Sequence, residues 1–530
     1  MKQTTIKVFW LGVCLVTFFI LVSFFYTNYP APPVLPPEPQ ISLGQQEQLD
    51  KYITHATQYL PRGLDEAKAV DVAIENSERW SKVRTEAKGT HETLCATFIE
   101  LPLSPLNNFR QVQNLQNEGT KACTWVYIVY KYDEAQKDQL LKDFKELIAA
   151  AFESKTILEQ PTYDVLFAPR RHNVVSSIHD ICKEMQKTEH FAAFQMAESC
   201  STFEAAVLTM HTTAGIAQDG NFNSQVYPKV LLFMQLLPYL DKFRFVWVLD
   251  GDISVEGFQL SKFLDLMHCT LPVAPLVAQP LIQQSTQTYK YLHKKSWAKT
   301  RTLVAQTGFV EVQVPLIDAQ LFRYYLLSFV LPLVLPAHIL GADWGFDQLF
   351  CSVAKLYHAV TSPQFALIRN SELPEQNLLL DTPRTPRSIN GAPVGNHHKA
   401  LQNLLMNKAH FKAIAADEKT IKKIHGAALA QERSVTQHTI RARLLATVLE
   451  STVSVCALII GAPAVHHDNS KVTNLVMGYE AKKLLNGRMM NIVQGAFPSF
   501  YKLGKGAHAD PLHPESKLVK SETMQKKCSW

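Results

Sequence analysis

FRFVWVLDGD, Phe243 to Asp252, is the stretch whose reading decides the fold. Between Phe243 and Asp250 it is dense in β-branched and aromatic side chains, and Arg244 is its one charge before the terminal acid. A run this apolar reads as a strand, and it is the strongest strand signal in the chain. Working outward, KVLLFMQLLPYL (Lys229 to Leu240) has the look of a helix leading into it. Further upstream, CTWVYIVYKY (Cys123 to Tyr132) and YDVLFA (Tyr163 to Ala168) are two more strand candidates. Between them lies EAQKDQLLKDFKELIAAAFES (Glu134 to Ser154), with apolar positions at helical spacing. Strands alternating with helices predict an α/β fold, a mostly parallel sheet with helices on both faces.

The acids at the end of the central strand carry the chemistry. Side chains two apart on an extended chain point the same way, so Asp250 and Asp252 face one ligand. Gly251 lets the backbone turn tightly between them. The carboxyl end of a strand is where open α/β sheets bind ligands. Two carboxylates there suit a hard divalent cation holding a diphosphate. The alternative is a plain turn, since Asp-Gly is also a common turn pair.

A second acidic pair lies in GADWGFDQLFCSVAKLY (Gly341 to Tyr357). If this segment is helical, Asp343 and Asp347 are four apart and share a face. Otherwise Asp343 is an N-cap and Asp347 sits in the first turn of the following helix. Trp344-Gly345 is an odd pair for a simple cap, and it predicts an aromatic wall and a close backbone approach near a ligand. The apolar stretch before it, Leu321 to Leu340, contains Arg323, Pro332 and Pro336 and is followed at once by acids. It therefore reads as a buried helix plus loop rather than a second membrane span.

From Val226 to Val353 the motifs resemble those of the domain-of-unknown-function 707 family, which is seen as glycosyltransferase-like. That family has a strand ending in W-D-E-D and a short turn to Phe, a basic segment, a strand of V-E-x-x-x-P type, and an apolar helix ending in W-G-L-D. Here the same order reads VWVLDGDISVEGF, KYLHKKSWAKTR, GFVEVQVPLIDAQLF and ADWGFDQLF, over about a quarter of the chain. The first motif departs as Leu-Asp-Gly-Asp, and the flanking regions are much larger. The resemblance implies a GT-A type fold, a Rossmann-like mixed sheet flanked by helices that binds a nucleotide sugar. Asp250 and Asp252 then hold Mn2+ or Mg2+ against the donor diphosphate, with Gly251 beside them. Asp347, or Asp343, accepts the proton of the acceptor hydroxyl. Glu311, Trp344 and Gly345 fall to substrate binding. Lys294, Lys295, Lys299 and Arg301 either contact phosphates or form a solvated basic loop, and His397 or His398 is a candidate third metal ligand.

Two other classes fit the same residues. Asp250-Gly251-Asp252-Ile253-Ser254 is similar to the D-x-D opening of haloacid-dehalogenase-like phosphatases, with Asp250 as nucleophile, Asp252 as general acid, Asp343 and Asp347 as the late acidic motif, and Lys290 or Lys299 as the lysine. Against it, at least two strand candidates precede Asp250, whereas that fold places its nucleophile near the domain start. A non-catalytic, lectin-like lumenal module is the third reading.

The N-terminus sets the compartment. Val8 to Tyr26 is apolar and uncharged, and about 19 residues of helix cross nearly 30 Å. Lys2 and Lys7 precede it and no basic residue follows until Lys51, so the tail is cytosolic and the rest lumenal. Bulky Phe24, Phe25 and Tyr26 at its end argue for an anchor rather than a cleaved signal. The expected organisation is a cytosolic tail (1–7), a signal anchor (8–27), a Pro-rich stem and helical region (28–118), a GT-A-like domain (119–380) and a helical C-terminal extension of unknown role (381–530). Eight of the nine cysteines follow the anchor, where an oxidising lumen permits disulfides. No N-x-S/T sequon occurs, which counts against that compartment. A net charge of +6 with both signs interspersed gives no footprint for nucleic acid. The expected enzyme is a type II glycosyltransferase of the Golgi or ER membrane, taking a nucleotide-sugar donor and a glycan or glycoprotein acceptor.

Overall fold

A computed structural model describes residues 43–61, 66–86, 93–100, 123–132, 162–169, 228–251, 253–254, 258–269, 274–283, 302–362, 455–466, 478–501 and 518–520, with isolated positions such as Trp297. The signal anchor, the Pro-rich stem, Asp252, Lys290, Lys294, Lys295, Lys299, Arg301, His397 and His398 lie outside the described residues. The chain divides into two units, residues 1–48 and 49–530. Of the first unit only Leu43–Gln48, the start of a helix, is described.

In chain order the elements are α1 (Leu43–Gln58), α2 (Glu66–Glu75), α3 (Ser77–Glu86), β1 (Thr93–Glu100), β2 (Cys123–Tyr132), β3 (Thr162–Pro169), α4 (Lys229–Phe233), β4 (Phe245–Asp250), β5 (Ile253–Ser254), α5 (Leu260–Cys269), β6 (Val277–Gln283) and β7 (Thr302–Thr307). There follow β8 (Leu316–Asp318), α6 (Ala319–Tyr325), α7 (Val334–Leu340), α8 (Phe350–Thr361), β9 (Cys456–His466), α9 (Gly478–Ala496) and β10 (Leu518–Lys520). The strands form one mixed sheet in the order β10-β7-β9-β6-β8-β4-β1-β2-β3, with β5 paired to β9 off that path. One half, β3-β2-β1-β4, is wholly parallel. In the other half β8 runs antiparallel between β4 and β6. The α/β expectation holds at this level: a mixed sheet with flanking helices.

β4 forms where the apolar run predicts, and Phe245 to Leu249 are all buried. Such burial suits a central strand lined on both faces. Trp247 stacks on Phe263 of α5 at 6.0 Å and contacts Phe258, and its indole N–H donates to the Val314 carbonyl at 3.3 Å. The site strand is thus backed by an aromatic cluster rather than left as a loose edge.

Two domain boundaries are corrected. The segment 28–118, expected to be stem and helical cap, supplies β1, which pairs between β2 and β4 at the centre of the sheet. Its helices are core too. Trp80 of α3 packs on Tyr324 of α6 and Tyr357 of α8, and the Tyr324 hydroxyl donates to the Ala69 carbonyl at 2.6 Å. Likewise, the described part of 381–530, expected to be a helical extension, includes two strands of the sheet, β9 and β10. The apolar segment Cys456–His466 forms β9, parallel to β6 and antiparallel to β7, with Cys456, Ala457, Leu458 and Ile459 buried. β9 thus lies inside the sheet, between β6 and β7, and its near-continuous apolar run suits a strand covered on both faces. A disulfide between Cys351 of α8 and Cys456, 105 residues apart with Cα atoms at 5.7 Å, joins this strand to the acid-bearing segment.

The stretch Ala319–Leu340 is long and apolar enough to cross a membrane, yet it is wholly buried. It is the core helix expected, continuous through a π turn at Leu326–Val330 and a 3-10 turn at Leu331–Leu333. Pro332 is the second residue of the 3-10 turn and Pro336 the third of α7, each within the first turn of its segment, where proline is best tolerated. Arg323 is buried within this core, where Asp241 meets its guanidinium at 2.8 Å.

Candidate functional site

The strand order reverses between β1 and β4. From β1 the chain proceeds outward through β2 to β3, then returns to the other side of β1 as β4. Such a switch point leaves a crevice at the carboxyl ends of the strands, because successive connections leave in opposite directions. Asp250 is the last residue of β4 and pairs in register with Phe98 of β1. It therefore stands at the switch point, partly buried, followed by Gly251 in a turn.

Asp250 is held from two sides. Its backbone N–H donates to the Gln313 carbonyl at 2.8 Å, which fixes the strand tip against the link between β7 and β8. Its carboxylate Oδ1 is ion-paired with the Lys229 ammonium. Lys229 is the first residue of α4, and its backbone N–H donates to Asp343 Oδ2 at 2.6 Å. One residue thus brings together Asp250 and Asp343, which the sequence places 93 positions apart.

The Asp343 segment takes the second expected form in part: Asp347 lies in the first turn leading into the following helix, but Asp343 is not its N-cap. It is a loop after α7, and Gly341 ends that helix in the left-handed region at φ 58°. Asp343 does act as a cap, but for the distant α4 rather than the helix that follows. Asp347 opens a 3-10 turn running into α8, and its Oδ1 accepts from the Gln348 N–H at 3.0 Å. Gly345 has φ 100°, and a Cβ there would lie 3.0 Å from Met490 Cα of α9. The close approach read from Trp344-Gly345 is thus one of backbone to helix. Trp344 itself is 49% exposed.

Electrostatics tie the two acids of this loop together. Burial, and then the charge of Asp343, push the Asp347 carboxyl up to about 7, against hydrogen bonds from the backbone of Gln348, Asp347 and Gly345. Tyr325 of α6 donates its hydroxyl to the Phe346 carbonyl at 3.1 Å. Burial, followed by Asp347 and Asp343, raises its phenol well above the ordinary value. Burial and Asp347 raise Tyr501 as well. The outcome is a carboxylate that exchanges its proton near neutrality, walled by phenols that keep theirs.

Glu311 and Gln313 lie on the β7–β8 link. The Glu311 N–H donates to Gln279 Oε1 at 2.7 Å, which fixes that amide's orientation. Gln279 is fully buried and its Nε2 makes no hydrogen bond, and neither does the buried Gln313 Oε1. Glu311 thus lies on the link whose Gln313 carbonyl is bonded to Asp250. The sequence reading missed Lys229, Gln279 and Gln313. Lys229 carried no signal, being an ordinary lysine at a helix start; its role arises from contacts made across the fold.

Among the described residues no group of three or more His, Cys, Asp or Glu side chains is arranged to hold a metal ion. Asp250 represents the Asp250–Asp252 pair alone. At this position Asp250 meets a positive charge, the Lys229 ammonium. No family model matches the chain, and no curated protein or solved structure matches it either.

Proposed function

We propose that this chain is a metal-dependent glycosyltransferase of the GT-A type, similar to the domain-of-unknown-function 707 family. It takes a nucleotide-sugar donor and transfers the sugar to a hydroxyl of a glycan or glycoprotein. It works from an N-terminal anchor as a single-pass type II protein with its catalytic domain in the lumen of the Golgi or ER. The observation that carries the reading is the acid at the carboxyl end of β4, beside the β1–β4 reversal, joined to a second acidic loop. The half-sheet order 3-2-1-4 is that of doubly wound nucleotide-binding sheets, which supports a nucleotide ligand. The order of motifs from Val226 to Val353 supports a sugar nucleotide. The buried Cys351–Cys456 disulfide supports an oxidising compartment.

Asp250 and Asp252 would hold Mn2+ or Mg2+ in this reading, and the bound ion would supply positive charge against the diphosphate leaving group. Asp347 takes the proton of the acceptor hydroxyl as that oxygen bonds to the anomeric carbon. The bond from that carbon to the phosphate oxygen breaks, and its electron pair leaves with the diphosphate. A base titrating near 7 has suitable strength for this at neutral pH. Asp343 contributes by raising Asp347 while itself remaining tied to α4. Glu311, on the link bonded to Asp250, and exposed Trp344 are the acceptor-side contacts.

The test is incubation of the full chain in detergent with Mn2+ and a panel of sugar nucleotides, following nucleoside diphosphate release. Release from one or more donors, at least about 100-fold lower in Asp250→Asn, is expected. Equal release from the variant contradicts the reading. One observation favours a phosphatase instead: a lysine ion-paired with Asp250 also suits a phosphate-accepting aspartate. That enzyme would free phosphate from p-nitrophenyl phosphate and be trapped by beryllium fluoride.

A further inference from the structure

Deepening the glycosyltransferase reading, and resting on it for the ligand's class, we infer that the side-chain amides of Gln279 and Gln313 form a subsite for sugar hydroxyls. Gln279 Nε2 donates to one hydroxyl, and Gln313 Oε1 accepts from another. The sheet register brings both to the Asp250 end of β4. β4 and β6 each run antiparallel to β8, with Trp247 and Ala278 both opposite Leu316. Gln279 is therefore level with Val248, and alternation along the strands puts its side chain on the face that carries Val248 and Asp250. Gln313 lies at the end of β4, where its carbonyl accepts the Asp250 N–H at 2.8 Å. The two glutamines also share one short turn: the Glu311 N–H donates to Gln279 Oε1 at 2.7 Å, and Gln313 follows two residues on.

Packing does not account for these amides. Val248, Pro315, Leu458 and Ala305 occupy the same level of the sheet as Gln279, and all are buried and apolar. In that row Gln279 is 0% exposed, and among the described residues neither its Nε2 nor Gln313 Oε1 has a hydrogen-bond partner. A buried donor and a buried acceptor left unmade both weaken the fold until a partner arrives. The Glu311 bond fixes which end of the Gln279 amide is oxygen, so Nε2 is held in a set direction. The chemistry of the partner follows from the pair. Both amides are neutral, one offering a proton and the other a lone pair. A phosphate or carboxylate has no proton for Gln313 Oε1, and an ammonium has no lone pair for Gln279 Nε2. Hydroxyls supply both, and a sugar ring carries several at fixed spacing.

The probes are uridine, guanosine and cytidine diphosphate sugars with their parent nucleoside diphosphates, and binding to the full chain in detergent with Mn2+ is read by equilibrium dialysis. For a sugar nucleotide that binds, analogues each lacking one sugar hydroxyl are compared with the parent. Wild type is expected to bind at least two of them about tenfold more weakly or worse, because a buried amide atom loses its partner. In Gln279→Met the penalty for one of those hydroxyls is expected to vanish, and in Gln313→Met the penalty for the other. A purely structural glutamine, or one satisfied by an ordered water, would lower thermal stability when replaced and leave this discrimination intact. Full discrimination in the folded variants therefore overturns the inference while leaving the transferase reading standing. Equal weakening of a nucleoside diphosphate and its sugar conjugate also overturns it, since base or ribose would then meet the amides. Absence of sugar-nucleotide binding in wild type removes the functional reading itself, and the inference with it. Should Gln279→Met not fold, Gln313→Met decides alone, because its Oε1 makes no bond whose loss unfolds the chain.

Discussion

Asp347 is the residue on which pH acts most directly. Its carboxyl moves from 3.8 to about 7 because it is enclosed and faces Asp343. The folded chain therefore binds this proton more tightly than the unfolded chain. Between those two values the folded state holds more protons, so stability falls as pH rises through the window and levels off above it. The full shift is worth at most about 4 kcal/mol, and the side chain's partial exposure reduces that. Asp347→Asn is thus expected to raise the unfolding temperature at pH 8 and leave it near wild type at pH 4, while turnover is lost. Asparagine keeps the oxygen that accepts from the Gln348 N–H. An equal shift at both pH values, measured by calorimetry, would contradict the electrostatic cause. The two acids of this loop were legible as a pair in sequence. Their meeting with Asp250 was not, because it passes through Lys229, 114 residues before Asp343.

At the scale of elements, β4 was legible because its apolar run ends abruptly in acid, and β2 because β-branched and aromatic residues fill it. β1 was not. TLCATFIE is short, mixes polar with apolar positions and follows polar helices, so nothing local marks it as a central strand. β9 was visible as an apolar run, but the sheet position it takes depends on strands more than 140 residues earlier. Its tie to α8 gives a test of that placement. Closing a loop of about 100 residues removes on the order of 4 kcal/mol of denatured-state entropy in the chain-entropy account. A Cys351→Ala, Cys456→Ala double variant is expected to unfold at clearly lower urea with a similar slope. An unchanged midpoint would show that β9 is held in the sheet without the bond.

For the whole molecule, sequence pattern reached the α/β class and the acid-tipped strand but drew the domain too small. The periodicities that mark elements are local, whereas the interleaving of residues 93–100 and 456–466 with the central strands is a property of the closed sheet. Truncation at the boundaries drawn from sequence, 119–380, removes β1 and β9 and leaves β4 and β6 each without a neighbour. Function must therefore be measured on the full chain. The most direct measurement is the thermal stability of the full chain in detergent with a nucleoside diphosphate, with and without Mn2+, for wild type and Asp250→Asn. A rise in unfolding temperature that requires both ligand and metal, and disappears in the variant, is expected. A rise that is indifferent to Mn2+, or that survives in Asp250→Asn, would contradict it.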